Sequence, residues 1–188
     1  MADIRFDDRV AIVTGAGGGL GREHALLLAS RGARVVVNDL GGATDGTGAS
    51  AGPAERTVKE IEDLGGVAVA DASTVATPEG GQAIVDTALD AFGRVDVVVN
   101  NAGILRDKAF HNLTPELLEP VLDVHLKGAF HVLRPAWAKM REAGYGRVLV
   151  TTSNAGILGN FGQIRDETGY SVPAGVADEI ASLVERLR

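Results

Sequence analysis

The chain has 188 residues, of which 45% are hydrophobic, and a formal net charge of −7. That is length enough for one domain with a substantial core, and the acidity argues against generic binding to nucleic acid or anionic membranes. Cysteine is absent, which excludes disulfides, thiolate metal sites and a cysteine nucleophile, and no metal site of any kind is expected.

In chain order, MADIRFDDR is too charged for a secretory signal, and no apolar run approaches membrane-spanning length. The C-terminal Leu-Arg is not a peroxisomal address, so a soluble cytoplasmic protein without a membrane partner is the expectation. Val10–Val13 has the length and composition of a buried parallel strand and runs into the turn GAGGGLG, after which Leu20–Arg31 follows a helical pattern. Strand, glycine turn and helix together present unpaired N–H groups and the positive end of a helix dipole to an anion. The spacing GxGxxG does not fit, because Leu20 occupies its last glycine position, whereas Thr14-Gly15-x-x-x-Gly19-x-Gly21 does. Gly15 would make the turn, Gly19 would let backbone approach a pyrophosphate, and Gly21 would let the helix pack on the strand. No Gly-Lys-Ser/Thr follows, which argues against a P-loop; the competing reading of the glycines alone is a flexible loop.

Arg34–Asn38 reads as the second strand, closed by Asp39 about 20 residues past the glycine turn. A carboxylate there can accept both hydroxyls of an adenosine ribose and would repel a 2′-phosphate, which points to NAD over NADP; a helix cap or turn residue is the plainer alternative. Leu40–Ala54 is a long loop rich in glycine, serine and threonine. Pro53 opens a helix through Leu64, stopped by Gly65-Gly66, and Val67–Ala70 is the third strand. Thr77 caps a helix that starts at Pro78 and runs to about Phe92, and Val95–Val99 is a fourth buried strand. The alternation predicts an α/β fold with a doubly wound parallel sheet.

The fourth strand ends in Asn100-Asn101-Ala102-Gly103, small and amide side chains that suit a ligand crevice at a strand's C-terminal end. TGxxxGxG after strand one, Asp39 after strand two and NNAG after strand four together resemble the short-chain dehydrogenase/reductase family, over about residues 9–163. VNDLGG with a following DGTG, NNAGILRD and GNFGQ are similar to its (3R)-hydroxyacyl-CoA dehydrogenase subgroup, which includes the dehydrogenase domain of the peroxisomal multifunctional enzyme. The resemblance implies a Rossmann-type fold and NAD contacts from Leu20, Asp39, Thr74, Val75 and Asn101, with Ala102 and Gly103 beside them. Ser73 stands where relatives often place an adenine-contacting Asp. The implied substrate is a small molecule, an acyl-CoA, and the implied assembly a homodimer or homotetramer.

Thr114-Pro115 caps a long helix through about Lys139, with Pro120 and Pro135 kinking or dividing it. His125 occupies the place of the family's catalytic Asn, although a His on an apolar face is also an ordinary structural residue. Arg147–Thr152 is the fifth strand and delivers Ser153, which in the family donates a hydrogen bond to the substrate oxygen. The family's Tyr-x-x-x-Lys should then fall at 166 and 170. The sequence has Asp166 and Tyr170, with Ala174 four residues further on. The close match stops at Gln163, so the expectation is a Rossmann domain over 1–163, lacking the family's last strands and substrate lobe. Residues 164–188 would be a tail segment, preceded by a block deleted from the gene or left out of the sequence. Two functions of different class follow: an NAD-dependent dehydrogenase, and a truncated nucleotide-binding or interaction protein without turnover. A Rossmann-type methyltransferase shares the turn and the acidic strand end but not NNAG.

Overall fold

The computed structural model describes residues 4–153. Five strands, β1 (Val10–Thr14), β2 (Arg34–Asn38), β3 (Val67–Asp71), β4 (Val97–Asn100) and β5 (Arg147–Val150), form one sheet. Its order is β3-β2-β1-β4-β5, with every neighbouring pair parallel. Between them run α1 (Gly19–Ser30), α2 (Gly52–Asp63), α3 (Pro78–Phe92), α4 (Pro115–Leu122) and α5 (Gly128–Glu142). This is the doubly wound α/β sheet that the sequence pattern predicts.

The central strands β1, β2 and β4 carry near-continuous apolar runs because both sheet faces are covered there. Ala11, Val13, Val35, Val37, Val97 and Val99 point to one face, with Ala25 and Ala29 of α1 and Ala54 and Ile61 of α2. Val10, Ile12, Val36 and Val98 point to the other, with Ile84, Val85 and Ala88 of α3 and Val132, Ala136 and Met140 of α5. α3 is capped as its sequence demands: Thr77 Oγ1 accepts from Gly80 N at 3.1 Å, and Gly93 closes the helix in the left-handed conformation. β5 is exposed along its length.

β4 begins at Val97 rather than Val95, and the residue before it, Asp96, is an anchor. Its buried carboxylate takes Arg94 Nε and Nη2 at 2.7 and 2.6 Å, Arg9 Nη1 at 3.0 Å and Val10 N at 2.9 Å. The long helix foreseen from residue 115 to 139 is interrupted by a π-helical turn, Asp123–Lys127, between α4 and α5. Pro120 has no N–H for the carbonyl of Glu116, four residues back, and that oxygen accepts from Arg106 Nη1 at 2.9 Å instead. Pro135 is carried inside α5 without ending it.

By its contacts the chain divides into two units, Met1–Leu105 with Glu119–Thr151, and Arg106–Leu118 with Thr152–Arg188. The first holds the whole sheet. In the second, among the described residues, Phe110–Asn112 make one 3₁₀ turn, closed by Asn112 N to Ala109 O at 2.8 Å.

Candidate functional site

The last residues of the first four strands break the apolar pattern: Thr14, Asn38, Asp71 and Asn100 are polar and buried. Thr14, Asn38 and Asp71 are register partners across β1, β2 and β3. Beside this C-terminal edge of the sheet opens a cleft of about 550 Å³, lined by Asn38, the glycine turn, Asp39 and the segments after β3 and β4. Strand order reverses between β1 and β4, the point where such sheets bind ligands.

Thr14 locks the turn to the segment after β4. Its hydroxyl oxygen accepts from the N–H groups of Asn101 and Ala102, both at 3.0 Å. The Asn101 amide returns the tie, donating to the carbonyls of Thr14 (3.1 Å) and Gly15 (3.2 Å) and accepting from Thr151 Oγ1 at 3.0 Å. Asn101 therefore lines the cleft with its side-chain amide and its backbone N–H both engaged inside the protein. The small residues make this packing feasible. Gly15 lies at φ +63°, and a Cβ on it would be 2.8 Å from Ala102 Cα. A Cβ on Gly21 would overlap the Gly15 carbonyl and lie 2.5 Å from Asn101 Nδ2, so helix and turn meet backbone to backbone.

The other side of the turn is open. Gly19 sits at φ +52° with nothing within 4 Å of where a Cβ would be. Gly18 caps α1 without a side-chain acceptor, and no acid occupies the first turn, so the positive end of the helix faces the cleft uncompensated. Leu20, the second residue of α1, is 66% exposed and is not among the cleft-lining residues.

Asp39 accepts from Gly17 N through Oδ2 and from Gly41 N through Oδ1, each at 2.7 Å. A carboxylate has about four lone-pair sites, so each oxygen keeps one for a ligand hydroxyl. Gly17 escaped the sequence reading, which took it as filler. A Cβ there would meet Pro53 at 2.5 Å and the Asp39 carboxylate at 2.8 Å, and the three-glycine run was the available signal.

Thr74 and Val75 form the wall beyond Asp39. Val75 is fixed by its carbonyl, 3.0 Å from His131 Nδ1. Ala102 and Gly103 line the opposite side, and Gly103 meets His125, whose Cε1 lies 2.7 Å from where a Cβ would stand. His125, on the π turn, has Nε2 at 3.0 Å from Ile104 N and 2.9 Å from Ile104 O. In this structure it braces the Gly103–Ile104 backbone. Ser153 is the last described residue and belongs to the second unit; positions 166, 170 and 174 lie outside the described residues. Among the described residues, no cluster of His, Asp and Glu is suited to hold a metal.

A glycine turn at a helix start, an acid closing β2 and a bonded NNAG segment after β4 define a dinucleotide-binding type of cleft. The family model described as short chain dehydrogenase matches residues 9–165, and the chain belongs to that family. It is 61% identical over 156 residues, 83% of its length, to a short-chain type dehydrogenase/reductase of Mycobacterium tuberculosis. It is 54% identical over 160 residues, 85% of its length, to mouse peroxisomal multifunctional enzyme type 2. A crystal structure of a short chain dehydrogenase from Mycobacterium avium matches with a TM-score of 0.75 and 49% identity, covering 84% of this chain and 58% of that one. The chain spans 54% of the M. tuberculosis relative's length and 21% of the mouse enzyme's.

Proposed function

We propose that this chain binds NAD and belongs to an oxidoreductase that transfers hydride between the cofactor and a secondary alcohol or ketone, a (3R)-3-hydroxyacyl-CoA being the favoured substrate. The observation that carries the reading is Asp39. Its two oxygens are oriented by Gly17 and Gly41 at the rim of the cleft, each with capacity for a ribose hydroxyl. Its charge would repel a 2′-phosphate, which supports NAD over NADP. The cleft suits the group sterically as well: the open side of Gly19 and the uncapped start of α1 leave room and donors for a pyrophosphate. When bound, NAD supplies the hydride acceptor. The chain's own residues hold and orient it: the first turn of α1 at the phosphates, Asp39 at the ribose, Thr74 and Val75 beside the base, and the Asn101–Gly103 backbone toward the reacting end.

The acyl-CoA preference rests on likeness to the peroxisomal multifunctional enzyme of mouse and the peroxisomal hydratase-dehydrogenase-epimerase of yeast, the latter 48% identical over 179 residues. In the same reading Ser153 holds the substrate oxygen and His125 supports the reacting end. Exposed Leu126, Phe130 and Trp137 on the π turn and α5 support assembly into a homodimer or homotetramer. A cytoplasmic location is part of the same proposal.

One observation favours a second reading, NAD binding without turnover: Asp166 and Tyr170 stand where Tyr and Lys are needed for proton transfer. Calorimetric titration with NAD and NADP, followed by NAD-linked oxidation of a panel of (3R)-3-hydroxyacyl-CoAs, separates the two. Binding with oxidation supports the dehydrogenase, binding without it the second reading. Failure to bind NAD refutes both.

A further inference from the structure

We propose that residues 40–50, the loop between β2 and α2, form a strap that must lift from the segment after β4 before a dinucleotide can enter or leave the cleft. The inference rests on the cleft's being an NAD site. β1 stands between β2 and β4 in the sheet. A loop that leaves β2 and touches the segment after β4 therefore has to cross the end of β1, where the glycine turn lies. This loop makes that crossing. Leu105 N donates to Thr44 O at 2.8 Å, and Gly46 packs on Ile104, whose Cδ1 lies 2.9 Å from where a Cβ would stand. Gly42, Thr44 and Gly46 line the same cleft as Gly15, Gly18 and Gly19, so the cavity lies between strap and turn.

The loop is long for a connection between strand and helix, and it is folded on itself rather than spread over the surface. Ser50 N donates to Leu40 O at 2.8 Å and closes its neck. At Gly41, φ +70°, a Cβ would overlap the Ser50 carbonyl, so the two sides of the neck meet backbone to backbone. The tip is tied internally. Thr47 O accepts from Ala43 N at 2.8 Å, and Ala43 O accepts from Gly46 N at 2.9 Å. Asp45 Oδ1 accepts from Thr47 N and Thr47 Oγ1, at 2.9 and 2.7 Å. A piece bonded in this way can swing from its neck without unfolding. The bank on which it docks is held separately, by His125 Nε2 at 3.0 Å from Ile104 N and 2.9 Å from Ile104 O. Lifting the strap breaks the Thr44–Leu105 bond and the contact of Gly46 with Ile104, and leaves the bonds of the tip, the neck and the bank intact. A dinucleotide lying on the glycine turn is covered when the strap is down, and its passage in either direction waits on that opening.

The test locks the strap down. The chain has no cysteine, so Thr44→Cys with Leu105→Cys supplies the only two thiols of the full 188-residue chain. Residues joined by a backbone hydrogen bond have α-carbons about 5.5 Å apart, within the reach of a disulfide. The pair is closed with oxidised glutathione, and intact mass confirms the loss of two hydrogens. Stopped-flow fluorescence then follows NADH uptake, and its release into excess NAD, before and after reduction of the disulfide. Both rates should be slower in the oxidised form, by about tenfold or more. A second variant replaces residues 43–48 with Gly-Gly and keeps the neck; there both rates should rise, by about fivefold or more. A loop that merely lines the cleft would speed release alone when shortened, and would leave the rates of the oxidised and reduced forms alike. Either of those results overturns the proposal and leaves the NAD reading standing. Absence of NADH binding by the unaltered chain overturns both. If the thiols do not join, the shortened strap decides alone.

Discussion

Replacing Gly21 with alanine is the sharpest test of how the cleft is built. The new methyl would overlap the Gly15 carbonyl oxygen and stand 2.8 Å from its carbon and 2.5 Å from Asn101 Nδ2. Comfortable separations are about 3.5 Å, so α1 and the turn must part by roughly 1 Å. Neither neighbour can yield cheaply. Gly15 is backed by Ala102, and the Asn101 amide is bonded to Thr14, Gly15 and Thr151. Moving α1 instead disturbs Ala25 and Ala29 in the core. The expected cost is about 2–4 kcal/mol in urea unfolding, and a misplaced phosphate turn should weaken NAD binding by tenfold or more. Gly19→Ala meets no protein atom but must adopt φ +52°, costing about 1–2 kcal/mol. Gly18→Ala has extended backbone and open space, so about 1 kcal/mol or less is expected. The ranking Gly21 over Gly19 over Gly18 is the prediction. Wild-type stability and NAD affinity in Gly21→Ala, or equal damage from Gly18→Ala, would refute the packing argument.

Thr14→Val keeps the shape of the side chain but leaves the Asn101 and Ala102 N–H groups without their acceptor; a loss of about 2–4 kcal/mol should appear in the urea midpoint. Asp39→Ala removes the acceptor for two backbone N–H groups and any ribose contact. NAD affinity should fall by about tenfold or more while NADP affinity falls less or rises, and an unchanged NAD-to-NADP ratio would count against the proposed role. Asp96 carries the pH prediction. Burial alone would raise its pKa, but bonds from Arg94, Val10 N and Arg9 outweigh burial and hold it below the ordinary 3.8. Its contribution is therefore complete above the unfolded value and is lost as pH falls below 3.8 through the lower folded one. Urea midpoints taken from about pH 7 down to about pH 3 should drop at the acid end in the parent chain. Asp96→Asn should be weaker at neutral pH, by about 3–5 kcal/mol, and flatter toward acid.

The strands were legible because burial on both faces leaves a clear record: VAIVT has no polar residue until its last position, and after Arg34 neither has VVVN. The place of Asp39 at the cleft and the close packing at Gly21 were legible because both depend on spacing within one βαβ unit. The rest depends on pairs far apart in the chain. Thr14 meets Asn101, 87 residues away, and nothing local says that the amide is spent on the turn rather than on a ligand. Thr87 reaches Asp71 from α3, so a carboxylate that reads as a strand end becomes the centre of a buried network. Pro120 announced a division in a long helix, but the form of it, a π turn that carries His125 to the Ile104 backbone, follows from the packing of the segment after β4. These cases separate two kinds of residue that share one motif. Thr14, Asn101 and Gly21 satisfy one another and make the frame. Gly19, the start of α1 and the outer lone pairs of Asp39 keep their capacity open toward the cleft. A motif records both kinds alike, whereas hydrogen-bond accounting divides them, and it is the second kind that a cofactor would complete.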